Sequence, residues 1–263
     1  MENFSYHTPS SVADAAKLLE GAEDAKLIAG GMTLLPTLKQ RLAAPSDLID
    51  LASVPGLKGV TREGDEIVIG AMTTHAEVHE NALVREAIPG LASLAGQIGD
   101  PAVRHRGTIG GSISNADPAA DYPAGLVGHG ATVVTNKRKI AADDFFTGLF
   151  ETALEPGEIV TSVRFPVPTW SAYQKLRHPA SGYAVVGVLV AQTKSGVRVA
   201  VTGAGPSVFR VAKMEEALTR DFSAKAIEGI TIPADEMNND IHASAAYRAH
   251  VVTVLAKRAV AAR

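Results

Sequence analysis

Residues Arg106–Asp121 read RGTIGGSISNADPAAD. The segment is too polar for a core and too ordered in composition for a linker. Its glycines let backbone N–H groups come close to an anion and adopt positive φ without strain. Pro123 would break a helix running straight on from Asp117. The spacing therefore predicts a turn at Asp117-Pro118, then a helix with Asp121 as its cap and Pro123 at its second position. Asp121 is placed either to cap that helix or to accept hydrogen bonds from a ligand hydroxyl.

A second stretch about eighty residues upstream, AGGMTLLP (29–36), faces the same problem. The short apolar run KLIA (26–29) predicts a strand leading into Gly30-Gly31. Thr33 can cap a helix that starts at Leu34, and Pro36 falls in its first turn, where a missing N–H costs nothing. The amides of such a helix start point at whatever lies over the glycines, a suitable place for phosphate. Either loop alone reads first as a tight turn. Neither is G-x-G-x-x-G, and G-x-x-x-x-G-K-[ST] is absent. The Gly-x-Gly of GAGPSVF (203–209) leaves a strand and lacks a third glycine, so it reads as a turn.

Outward from these loops, Ser10 or Ser11 caps a helix through Leu19, and DLIDL (47–51) is a strand, giving a small β–loop–α–β unit. LKGVTREGDEIVIGAMT (57–73) reads as a hairpin turning near Gly64, followed by helices over 74–80 and 83–98. ATVVTNKRKIAADDF reads as a second hairpin, and EIVTSVRFPVP (158–168) as a strand ended by prolines. Strand-like runs then cover 171–177, 183–192 and 197–203. Helices follow near 210–219, 223–229 and from about 241. Strands followed by helices, without alternation, predict an α+β domain over 169–263, with the boundary at Pro166–Pro168. Residues 1–168 would form the first domain, with subdomains of about 1–53 and 54–168.

Composition narrows the function classes. The 263 residues are 46% hydrophobic, enough for a sizeable core. A formal charge of −3 offers no basic field for nucleic acid or anionic membranes. Cysteine is absent, so disulfides, thiolate zinc sites and thiolate ligation of an iron–sulfur cluster are excluded within this chain. With no apolar run long enough to span a bilayer and no signal-peptide pattern, the expectation is a cytoplasmic protein. HAEVH (75–79) is not H-E-x-x-H and has no evident third ligand, so it reads as exposed helix histidines. The basic RHR (104–106) reads as a solvated loop or a partner contact.

Taken together, AGGMTLLPTLKQRL and RGTIGGSISNADPAADYPA resemble the flavin-binding medium subunit of molybdenum hydroxylases, the family of the carbon monoxide dehydrogenase medium chain and the xanthine dehydrogenase FAD domain. FFTGLFETALEPGEIVTSVRFP (145–166), YQKLRHPASGYAVVGV (173–188) and NDIHASAAYRAHVVTVLAKRA (239–259) extend the resemblance over nearly the whole chain. It implies an α+β fold: a two-subdomain α/β FAD-binding domain of the vanillyl-alcohol-oxidase/PCMH type, then a smaller α+β domain of about three antiparallel strands with helices. By resemblance, Ala29, Gly30, Gly31, Met32, Thr33 and Leu34 wrap the FAD diphosphate, with Lys26, Leu27 and Ile28 leading in. Thr108, Ile109, Gly110, Gly111 and Ser112 form the second wall, with Asn115 and Asp117 close by. Asp121 serves the ribityl or phosphate side, and Ile98 with Ile159 or Val160 supplies apolar contacts. Lys175 lies near the isoalloxazine ring, where a cation favours anionic reduced flavin.

The sequence departs from the family pattern in places. Met32 replaces a residue that is commonly polar, Asn115 stands where histidine is frequent, and Gly182-Tyr183 replaces an acidic–aromatic pair. The resemblance implies an oxidoreductase subunit without an acid–base catalytic residue or metal of its own. Electrons would arrive from molybdopterin in a large subunit through two-iron, two-sulfur clusters in a small one, in a dimer of heterotrimers, and leave to an external acceptor. The alternatives are a self-contained flavin oxidoreductase on the same fold and an assembly module that has lost flavin. Valine at Gly110 or Gly111 is expected to abolish FAD retention and leave the chain folded.

Overall fold

The computed structural model describes residues 1–263. The chain opens with β1 (Ser5–His7), α1 (Val12–Gly21), β2 (Ala25–Ile28), α2 (Leu34–Lys39) and β3 (Asp47–Asp50), and the strands form a parallel sheet in the order β1-β3-β2. Ser11 caps α1 by accepting from the Asp14 amide, and Ala15 drops into a small core with Ile49, Leu51, Val54, Leu57 and Ile159. Strand β1 has no sequence signal: Ser-Tyr-His is a polar edge, held by backbone register on β3 and by His7 on Asp47 at 2.7 Å.

Next come β4 (Val60–Glu63) and β5 (Glu66–Gly70), joined through Gly64 at φ 61°, as the hairpin reading requires. Five helices follow: α3 (His75–Glu80), α4 (Ala82–Ala87), α5 (Pro89–Gly96), α6 (Pro101–Arg104) and α7 (Ile109–Asn115). The single helix expected over 83–98 is two, because Pro89 forces Ile88 out of helical geometry (φ −138°, ψ 65°). The buried helix α8 (Tyr122–His129) leads to β6 (Thr132–Thr135), β7 (Lys139–Ala141), α9 (Ala142–Phe145), the small hairpin β8 (Phe146–Gly148) and β9 (Glu151–Thr152), and β10 (Val160–Pro166). The main sheet is antiparallel in the order β4-β5-β10-β6-β7, so the proline-ended strand lies at its centre.

The remaining strands, β11 (Trp170–Arg177), β12 (Ala184–Thr193), β13 (Gly196–Thr202) and β14 (Phe209–Arg210), form an antiparallel sheet in chain order. Helix α10 (Ala212–Arg220), a 3-10 turn (Ala234–Glu236) and α11 (Ala245–Ala261) follow. No helix forms at 223–229: the amides of Ala226 and Glu228 bond three residues back, making successive turns. One face of this sheet, including Val186, Val188, Val199 and Val201, joins a core with Met214, Leu218, Val252 and Leu255. From the other face, Tyr173, Leu189, Ala191 and Ala200 enter the same core as Leu91 and Leu94 of α5 and Leu126 of α8. The chain thus changes sheets at Pro166–Pro168, while its largest core is continuous across that point.

Candidate flavin site

A cavity of about 650 Å³ opens where the β2–α2 segment, the β5–α3 segment, α7 and the turn before β12 converge. That volume lies in the usual range for small-molecule and cofactor sites. Its walls include Lys26, Leu27, Ala29, Gly30, Gly31, Met32, Thr33 and Leu34 from the first glycine segment. Thr108, Gly110, Gly111, Ser112, Asn115, Asp117 and Asp121 come from the second, with Ile98, Ile159 and Val160 between them. Three expected residues lie behind the walls. Ile28 is on the strand that delivers the first loop, Ile109 is fully buried in the main core, and the Lys175 side chain is 1% exposed.

The second glycine segment is not a loop. It is the first turn of α7, capped by Thr108, whose hydroxyl accepts from the Gly111 amide, and closed by Ala116 in the left-handed region (φ 48°). The helix start uses up its own donors. Ile109 N–H goes to the Thr73 carbonyl (3.1 Å), Gly110 N–H to the Ala71 carbonyl (2.8 Å) and Ser112 N–H to the Thr108 carbonyl (3.0 Å). The first segment is the reverse. The amides of Ala29, Gly30, Gly31, Met32, Thr33 and Leu34 donate no intramolecular hydrogen bond. Thr33 takes helical angles and makes no side-chain cap, contrary to the sequence expectation, and the first helical bond runs from Leu35 N–H to the Gly31 carbonyl. Six consecutive unspent donors, with Gly31 at φ 72°, are backbone chemistry suited to an anion.

The glycines divide by role. A Cβ on Gly30 would lie 2.0 Å from the Arg106 carbonyl oxygen and 2.8 Å from the Gly107 Cα, so Gly30 is what lets the two segments touch. A Cβ on Gly110 would meet the Ala71 backbone oxygen at 2.7 Å, so that glycine packs α7 against the end of β5. Gly111 is exposed, and its Cβ would meet only the Thr108 hydroxyl at 3.0 Å and the Ala29 Cβ at 3.5 Å. The expectation that both positions tolerate valine in the folded chain therefore fails for Gly110.

Asp121 precedes α8 but does not cap it, since its angles are helical and its carboxylate turns inward. Tyr173 donates to one oxygen at 2.5 Å and the Lys175 ammonium to the other at 2.9 Å, with a further bond from Lys175 to the Gln97 carbonyl at 3.1 Å. Asp121 is 3% exposed. Burial pushes its carboxyl up from the ordinary carboxylate range, and Lys175 and Tyr173 pull against that. Burial likewise draws the Lys175 ammonium down, with Asp121 opposing. Tyr173 and Lys175 thus take one acceptor position on each Asp121 oxygen, while Asp121 remains in the cavity wall. Asp117, whose carboxyl burial also pushes up, turns back onto the Ala119 amide at 2.9 Å. Ser112 and Asn115 keep side chains without intramolecular hydrogen bonds on the cavity-facing surface of α7.

Sequence reasoning missed His75, Ser181, Gly182 and Tyr183 among the walls. His75 is not an exposed helix histidine. It is 4% exposed, its Nδ1 has no partner, and burial lowers its pKa to about 4. The capping box between Thr74 and Glu77 fixes the start of α3 and so turns His75 inward. His79 holds the Ala92 carbonyl at 2.8 Å, and no cluster of three metal-ligating side chains exists in the chain. The signal for His75 lay in T-T-H-A-E, where a cap two residues into the motif dictates which histidine faces the core.

Residues 2–168 match the family described as FAD binding domain in molybdopterin dehydrogenase. The chain is 36% identical to the carbon monoxide dehydrogenase medium chain of Hydrogenophaga pseudoflava, over 98% of this chain and 96% of that one. It is also 36% identical to the nicotine 6-hydroxylase medium subunit of Paenarthrobacter nicotinovorans, with 97% and 95% covered. The structure superposes on that of carbon monoxide dehydrogenase from Hydrogenophaga pseudoflava lacking the Mo-pyranopterin moiety, with a TM-score of 0.89 and 37% identity over 99% of this chain and 96% of that one. No helix is long and apolar enough to cross a membrane. The chain belongs to the FAD-binding medium-subunit family of the molybdenum hydroxylases, and it is an oxidoreductase flavoprotein subunit.

Proposed function

We propose that this chain carries electrons from iron–sulfur clusters of a partner subunit, through its FAD, to an external acceptor. One observation carries the reading: Ala29–Leu34, whose six amides are unspent, line the same cavity as the bare Gly111 backbone and the free Ser112 and Asn115 side chains. That donor set fits a diphosphate, which needs N–H groups and close backbone approach rather than a cationic side chain. Bound FAD supplies a redox centre able to exchange electrons singly or in pairs. The protein supplies the rest. Ala29–Leu34 bind the diphosphate, Gly111, Ser112 and Asn115 orient the molecule, and Ile98, Ile159 and Val160 exclude water. Ile28 and Ile109 act from behind, holding strand β2 and helix α7 in place. Asp121 stands in the wall, charge-balanced from behind by Lys175 and Tyr173, and Asp117 shapes the turn beside it.

The chain has no cysteine, so the clusters belong to another subunit. Relatives named for carbon monoxide and for nicotine share this scaffold, which supports a substrate site on a large molybdopterin subunit. The assembly proposed is a dimer of heterotrimers. The division proposed is an FAD-binding domain over 1–168, with subdomains of about 1–53 and 54–168, and a second domain over 169–263. Co-expression with the products of the neighbouring reading frames tests the function. The expected complex contains a cysteine-rich small subunit and a large molybdenum subunit, and reductant supplied to the clusters bleaches the visible flavin band. A yellow chain that recruits neither subunit, or a flavin that stays oxidised beside reduced clusters, would overturn it.

A further inference from the structure

The cavity mouth is crossed by the turn His178–Tyr183, which links β11 to β12 and carries Ser181, Gly182 and Tyr183 into the wall. Its backbone is closed by His178 N–H to the Tyr183 carbonyl at 2.8 Å and Gly182 N–H to the His178 carbonyl at 2.9 Å. Tyr183 lines the same cavity as Thr33 of the first glycine segment. The turn therefore forms a strap from the second sheet that closes part of the cavity wall.

Two histidines hold this strap from outside. The Ser181 amide donates to His178 Nδ1 at 3.2 Å, and the Ser181 hydroxyl lies 3.1 Å from the same nitrogen. A backbone N–H cannot donate to a protonated nitrogen, so the neutral His178 ring carries its proton on Nε2. Nε2 then donates to His242 Nδ1, 3.2 Å away, with the rings edge to face at 4.5 Å. The tautomer rules out a cation bridging the pair, because a metal on Nε2 would require the proton on Nδ1, against the Ser181 amide. His242 is itself fixed: Asp240 accepts from the His242 and Ala243 amides and pairs with Arg248 at 2.7 Å.

We propose that His178 and His242 form a proton-sensitive clasp that positions the Ser181–Tyr183 wall over bound FAD, closed when both rings are neutral and released when His178 Nδ1 or His242 Nδ1 takes up a proton. The other ionisable groups around the strap are Arg177, bonded to the Gly99 carbonyl at 2.6 Å, Asp117 and Tyr183 at the mouth, the Asp240–Arg248 pair beneath His242, and His75 on the opposite wall. Histidine as a residue type changes its charge between about pH 5 and 8. A proton on His178 Nδ1 turns the Ser181 amide from partner to opponent, and one on His242 Nδ1 removes the acceptor.

The proposal rests on FAD occupying this cavity, and its test separates the two ideas. The rate of FAD release from the full chain is measured by flavin fluorescence at pH 8 and pH 5.5, beside the histidine ¹⁵N shifts. The wild type is expected to release FAD about five- to tenfold faster at pH 5.5, the loss of one neutral hydrogen bond. The double variant His178→Asn/His242→Gln keeps acceptors that do not titrate, and its rates at the two pH values should agree within about twofold. A double variant with the pH dependence of the wild type, or a wild type with none, overturns the clasp. So does a His178 whose ¹⁵N shifts place the proton on Nδ1 at pH 8. A wild-type chain that binds no FAD at pH 8 overturns the flavin reading instead, and the tautomer still decides the clasp.

Discussion

Replacing Lys175 by methionine keeps most of the side chain's volume and removes its charge. The consequence follows from burial. Lys175 and Asp121 are 1% and 3% exposed at the side chain, and their ammonium and carboxylate lie 2.9 Å apart. Removing one member of such a pair strands the other, which typically costs about 3–5 kcal/mol. Tyr173 still donates to Asp121 in the variant, so the lower end, about 3 kcal/mol, is expected in urea unfolding at pH 8. The pH dependence gives the sharper check. Burial already raises the Asp121 carboxyl, and Lys175 is the strongest influence pulling it back. Without Lys175 the folded value rises further above the unfolded one, which is near ~3.9. The penalty is therefore full above the raised folded value and shrinks as pH falls through it, because the folded variant takes up the proton. Asp121→Asn combined with Lys175→Met should recover at least half of the loss. A loss below about 1 kcal/mol that is unchanged between pH 8 and pH 5 would refute the buried pair.

The two α7 glycines should separate in one experiment. Gly110→Ala forces a Cβ against the Ala71 backbone and should cost about 1–3 kcal/mol in urea unfolding, whereas Gly111→Val should retain near-wild-type stability and lose FAD. Gly30→Ala should part the two segments, lowering both thermal stability and FAD affinity, since its Cβ has no room against the Arg106 carbonyl. Thr108→Val removes the cap of α7 and should cost about 1 kcal/mol. His75 and His129 are buried neutral with values lowered to about 4. Each folded value lies below the unfolded one near ~6.5, so stability should be full above that pH and fall as pH drops toward 4, by about 3 kcal/mol per histidine. His129→Gln should flatten part of that slope.

Much of this architecture is legible in the sequence because the relevant signals are local. Gly64 between two alternating runs gives the β4–β5 hairpin, and Ser11 before an apolar 3.6-residue period gives α1. The two glycine segments name the cavity because their pairing across the chain is specific. What escaped reading depends on distant contacts. Whether Gly110 faces a ligand or Ala71 is set by how α7 docks on the end of β5. Asp121 carries the local marks of a cap, yet Tyr173 and Lys175, more than fifty residues away, claim its carboxylate. Thr33 looks like a cap as well, but its helical backbone angles leave its side chain without a cap bond and the amides around it unpaired. His178 and His242 meet only because β11 and the segment before α11 close on each other, which no spacing rule records.

In the proposed site the upstream segment, rather than the glycine-rich helix start, holds the FAD diphosphate. Amide hydrogen exchange with and without FAD addresses it residue by residue. The account predicts strong slowing at Gly30–Leu34, whose donors are unspent in the chain alone, and little change at Ile109 and Gly110, whose donors are already bonded to Thr73 and Ala71. Unchanged exchange at Gly30–Leu34, with protection confined to Ile109–Ser112, would contradict it.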